Sequence, residues 1–67
     1  MLKYDGQETV RFTGFTKGNN KELTEYFSLD IGDVYRVEKY LPSINSFIII
    51  NKENQGVLVT FNEVELP

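Results

Sequence analysis

The sequence predicts a small all-β fold, an antiparallel barrel of five short strands. Its apolar and β-branched runs are too short for helices, and Gly, Pro, Asn and Asp interrupt the chain at close intervals. No stretch has the sustained three-to-four spacing of a long amphipathic helix. At 67 residues the chain makes one domain, 1–67. A domain this short buries only about 60% of the surface that its unfolded chain exposes. It has no Cys and no His, so neither a disulfide nor the usual zinc ligands can supplement the core.

The first segment, "ETVRFTGF" (8–15), alternates, with Val10 and Phe12 on one side and Arg11 and Thr13 on the other. Gly14 marks a bend or bulge near its end. Upstream, Leu2 and Tyr4 read as a short leading strand before the turn dipeptide Asp5-Gly6. "TKGNNKELTEYFSLD" (16–30) is a long first loop. Within it Asn20 caps a short helical turn in which Leu23, Tyr26 and Phe27 share a face; "EYFSL" also reads as a strand. Ile31-Gly32-Asp33 is a turn, and "DVYRVEKY" (33–40) is a strand by composition. Strict alternation sets Tyr35, Val37 and the stem of Lys39 on one face, with Val34, Arg36, Glu38 and Tyr40 on the other. "LPSINS" (41–46) breaks the chain at Pro42.

Strands at 46–51 and 56–61 follow, joined by "NKENQG", with Gly56 supplying a positive φ for the hairpin. "NEV" is a tight turn and "EL" a closing strand. The block Phe47–Ile50 does not alternate, although a strand with one face in water should. In a small barrel a bent strand buries residues from both faces, and closure protects the strand edges. Core packing is therefore the ordinary reading of that block.

The succession "VRFTG", long loop, "LDIGDVYRVEKY", "SFIII", Gly56 turn and "FNEVEL" resembles small SH3-like barrel proteins of bacteria and their prophages. Leu29, Gly32, Tyr35 and Val37 match a Leu-x-x-Gly-x-x-Tyr-x-Val element of that group, and the resemblance spans about residues 9–66. It implies an SH3-like barrel with a long first loop, and a fold more than an activity. The Pro-rich-peptide site of eukaryotic SH3 domains is not carried over. The chain has no Trp and no "ALYDY"-type opening, and "TFNEV" stands where a Pro–Tyr pair completes that groove.

Catalysis has little to draw on. Without His or Cys there is no Ser-His-Asp or Cys-His arrangement, so the expectation is no enzyme and no cofactor. Asp30 and Asp33 are the nearest carboxylate pair, in a turn where Asp ordinarily bonds backbone. Glu22 and Glu25 read as solvated surface. "NKENQG" has Asn51 where an EF-hand loop needs Asp and Asn62 where it needs Glu, so it is a hairpin turn and no metal is expected. No Gly-rich phosphate cradle is present.

These exclusions favour a non-enzymatic protein-interaction module, read as a small prophage-encoded protein that binds a host or phage protein. Its candidate contacts are Tyr26, Phe27, Leu41, Ile44 and Phe47, aromatic and aliphatic residues on loops. The alternative is a nucleic-acid-binding barrel using Tyr35, Arg36, Lys39 and Tyr40, where cations interleave with aromatics; the net charge of −3 opposes it. A third reading is a self-associating structural subunit in which another copy covers the extra apolar face. "LKYDGQE" lacks a signal-peptide core and no stretch approaches the roughly 20 apolar residues of a membrane span, so the expected setting is cytoplasmic, without membrane.

Overall fold

In a computed structural model the structure describes residues 6–67; the leading strand expected at Leu2 and Tyr4 lies outside the described residues. Five antiparallel strands form one sheet: β1 (Thr9–Phe12), β2 (Val34–Leu41), β3 (Ser46–Ile50), β4 (Gly56–Thr60) and β5 (Val64–Glu65). The order across the sheet is β4-β3-β2-β1-β5. One helix, α1 (Asn20–Phe27), lies between β1 and β2, and 3-10 turns at Pro42–Ile44 and Phe61–Glu63 precede β3 and β5. The fold is thus mostly β, as the composition predicts. The sheet is open, however: β4 and β5 are its two edges and do not pair with each other. Closure by strand pairing, expected of a barrel, is absent among the described residues.

β2 joins the two halves of the sheet. Its first residues pair with β1, Val10 facing Tyr35, and its later ones pair with β3. Val37 pairs with Ile49 but Lys39 pairs with Ile48, so β2 holds one residue more than β3 at this point. Such a bulge reverses the side-chain alternation beyond it. Tyr40 is therefore on the inner side opposite Phe47, not on the outer face with Arg36 and Glu38. Its ring lies 5.7 Å from Phe47 and stacks on Phe61 at 6.0 Å. Lys39 turns outward instead.

The core takes Val10 and Phe12 from β1, Tyr35 from β2, Phe47 and Ile49 from β3, Val57 and Val59 from β4, with Leu29 and Val64. Phe47–Ile50 therefore alternates after all. Phe47 and Ile49 are fully buried, whereas Ile48 and Ile50 are half-buried on the outer face. There Ile48 faces Leu58 and Ile50 faces Gly56. Gly56 does not adopt positive φ; Asn54 does, at 61°. Space favours glycine at 56, since a Cβ would lie 3.0 Å from Ile48 Cγ2 and 3.3 Å from Glu38 Oε2, and those side chains would have to shift to admit it.

Phe47 was a sequence candidate for partner contact, yet it is 0% exposed and belongs to the core. Phe47→Ala should cost about 3–5 kcal/mol, most of the stability of so small a domain. Ile44→Ala, at a site 56% exposed, should stay within about 0.5 kcal/mol. Urea unfolding of the two variants checks this, and equal losses would contradict the assignment.

Candidate functional site

The excursion between β1 and β2 is held in place by polar side chains. Asn19, not Asn20, caps α1, its Oδ1 accepting from Glu22 N–H at 3.3 Å. Asn20 instead clasps the incoming chain: its Oδ1 accepts from Phe15 N–H at 2.7 Å and its Nδ2 donates to Phe15 C=O at 3.0 Å. Ser28, at φ 54°, ends the helix in the left-handed region. Its N–H donates to Glu25 C=O at 3.4 Å and Leu29 N–H to Thr24 C=O at 3.0 Å, a Schellman turn that delivers Leu29 to the core. The segment read as a helical turn or a strand is thus an eight-residue helix.

The helix end meets the β3–β4 turn. Asn51, buried, donates from Nδ2 to Phe27 C=O at 2.7 Å. Its Oδ1 accepts from Glu53 N–H at 2.9 Å and Gln55 N–H at 2.8 Å. Lys52 N–H donates to Ser28 C=O at 3.2 Å, and the Lys52 ammonium pairs with the Asp30 carboxylate. Between these elements lies an open groove of about 480 Å³, lined by Tyr26, Phe27, Asn51, Gln55, Gly56 and Val57. Tyr26 is 80% exposed. Its ring stands edge-on to Phe27 at 4.8 Å and 90°, and Phe27 in turn lies 5.4 Å from Phe15 and packs on the core.

The five expected partner contacts do not form one patch. Tyr26 and Phe27 border this groove. Leu41, half-buried, and Ile44, exposed, lie at the β2–β3 turn, at the far end of β3. Five strand residues at about 3.3 Å each separate the two ends. Phe47 is inside. The nucleic-acid constellation is also divided. Tyr35 is buried, and its Oη accepts from Asp30 N–H at 2.6 Å. Burial raises its pKa, with a smaller contribution from Asp33. Beyond the bulge Tyr40 turns its ring toward Phe47 and Phe61, though it still borders a cavity with Arg36, and Lys39 is exposed.

A further cavity of about 530 Å³ lies between the start of β1 and the middle of β2. Its lining combines Arg36 with Glu8 and Glu38, so it offers no cationic surface. Among the described residues no three His, Cys, Asp or Glu are grouped to hold a metal ion, and no helix is long and apolar enough to cross a membrane. Compared with known proteins, the chain matches no family model, no curated protein and no solved structure.

Sequence reasoning found Tyr26 and Phe27 but missed Asn51 and Gln55, which complete the groove. The signal for Asn51 was present: Asn at the head of a tight turn bonds backbone two residues on. Asn51→Ala should cost about 1–3 kcal/mol, because it leaves the half-buried Phe27 carbonyl and two turn amides without their side-chain partner. Asn51→Asp keeps the acceptor for Glu53 and Gln55 but loses the donor to Phe27. Amide hydrogen exchange should then show a loosened helix end beside an intact turn; uniform loosening would contradict this division of roles.

Proposed function

We propose that this chain is a non-enzymatic protein-interaction module on an SH3-like barrel framework, binding its partner at the groove between α1 and the β3–β4 turn. The observation that carries the reading is Tyr26. A large aromatic side chain stands in solvent, yet it rests against Phe27 and Phe27 rests against the core. Aromatic anchors of this kind concentrate binding energy, and a preset side chain loses less freedom on association than a mobile one. Asn51 fixes the opposite wall through its bonds to both the helix and the turn. The groove suits an apolar or aromatic side chain from a partner segment, with Gln55 at its rim for a polar contact.

The SH3-like framework is supported by the strand order, by the long excursion between β1 and β2, and by the 3-10 turn between β4 and β5. The setting that goes with the sequence resemblance is a small cytoplasmic protein of a bacterial prophage acting on a host or phage protein. Tagged protein drawn through bacterial lysate tests the reading. One stoichiometric protein should be retained by the wild type and by Ile44→Ala, and should survive nuclease. Tyr26→Ala should lose it, by about 2 kcal/mol or more in affinity, with folding stability changed by no more than about 0.5 kcal/mol. Retention by Tyr26→Ala, or loss on nuclease treatment, would overturn the proposal.

A further inference from the structure

α1 ends at the groove, so the negative end of its dipole lies there, and its last turn holds no basic residue. The carbonyls of a last turn have no partner within the helix and must find one elsewhere. Thr24 C=O receives Leu29 N–H, and Glu25 C=O receives Ser28 N–H. Phe27 C=O receives the side chain of Asn51, which lines the groove. Tyr26 C=O is left over. Its donor in a continuing helix would be Asp30 N–H, but that amide donates to the Tyr35 hydroxyl at 2.6 Å. No other donor among the described residues takes it. A hydrogen-bond acceptor thus stands at the root of the exposed Tyr26 ring, at the negative end of the helix.

The charges on the elements that form the groove have the same sign. Glu25 belongs to the last turn of α1 and Glu53 to the β3–β4 turn, both exposed. Beside Gly56, Glu38 Oε2 lies 3.3 Å from where a Cβ on that glycine would be. None of these three carboxylates forms an ion pair with a described residue. The basic groups nearby are engaged or distant. Lys52 is paired with the Asp30 carboxylate, and Lys21 is in the first turn of α1, at the other end of the helix. Lys39 faces Ile48, whereas Gly56 faces Ile50 nearer the turn. The chain as a whole carries −3.

We propose, on the binding groove assigned above, that the partner segment is basic. An arginine or lysine next to the apolar residue that fills the groove lays its stem along the Tyr26 ring and donates to Tyr26 C=O. A cation over an aromatic face is attracted by the ring, and its methylenes cover apolar surface while the charge stays at the rim in water. The carboxylates around the groove draw such a segment in and repel an acidic one, so they select the partner as well as hold it. A neutral apolar segment fills the same space but leaves the helix end and the carboxylates without a counter-charge.

Two capped peptides test the charge preference: acetyl-Ala-Arg-Leu-Ala-amide, and the same peptide with citrulline for arginine, which keeps the shape and loses the charge. Titrated into isotope-labelled wild type, the arginine peptide should move the Phe27 and Gly56 amide resonances and bind about fivefold or more tightly than the citrulline peptide. That advantage should shrink as salt rises from about 0.05 to 0.5 M. Glu38→Gln, at a side chain that makes no bond in the fold, should narrow it about twofold with unfolding unchanged. Equal binding of the two peptides, or groove resonances that neither peptide moves, would overturn the proposal. The groove itself is tested apart from its charge. Tyr26→Ala that still retains the lysate partner would remove the groove and this proposal with it. Loss of that partner by Tyr26→Ala alongside equal peptide binding would leave the groove standing and overturn only its preference for a basic segment.

Discussion

The buried carboxylate of Glu63 is the constraint on which the rest of this small structure depends. Its Oε1 accepts from Thr60 N–H at 2.7 Å, closing the 3-10 turn that leads into β5. Its Oε2 accepts from Thr16 N–H at 3.0 Å and from the Thr16 hydroxyl at 3.3 Å. The Glu63 backbone C=O also receives Thr13 N–H at 2.8 Å. A carboxylate out of water is costly unless its oxygens are bonded, and here both are. One side chain thereby ties the end of the chain to the start of the long excursion, 47 residues away. Bonds to an ionised group are stronger than neutral ones, which suits a tie that must hold where apolar area is scarce.

From that tie the excursion is fastened at successive points. Asn20 clasps Phe15, Asn51 holds the end of α1, and the Tyr35 hydroxyl receives Asp30 N–H. Apolar packing fills the space between them, with Phe15 between Phe12 and Phe27 and Leu29 in the core. The groove exists because two of these fastenings, Asn51 and the Schellman turn at Ser28, bring the helix end and the β3–β4 turn together. Tyr26 then projects from a support that is already ordered. Binding surfaces on loops require this kind of rigid backing.

The strands were legible because composition and turn residues specify them locally. The hairpin 46–61 and the strand from Val34 were found within a residue or so, and α1 was visible as a helical spacing of Leu23, Tyr26 and Phe27. The bulge at Glu38 was not legible, since one extra residue in β2 makes sense only against its partner β3. That single residue moves Tyr40 inward and Lys39 outward, which reverses the faces that strict alternation gave them. Phe47 was misplaced for a related reason: burial is a property of the assembled sheet, and an apolar residue just after a loop reads the same whether it points in or out. At the candidate site the aromatics announced themselves, whereas Asn51 is a common turn residue whose role depends on a helix far away in sequence. The openness of the sheet was likewise hidden, because closure depends on strand curvature rather than on any residue type.

Amide hydrogen exchange on Glu63→Gln tests the central constraint most directly. The account predicts that Thr16 and Phe15 amides lose protection while Ile49, in the middle of the sheet, keeps protection up to the variant's global stability, which should fall by about 1–3 kcal/mol. Unchanged protection at Thr16 would contradict it, and would assign the order of the excursion to the packing of Phe15 and Phe27 alone.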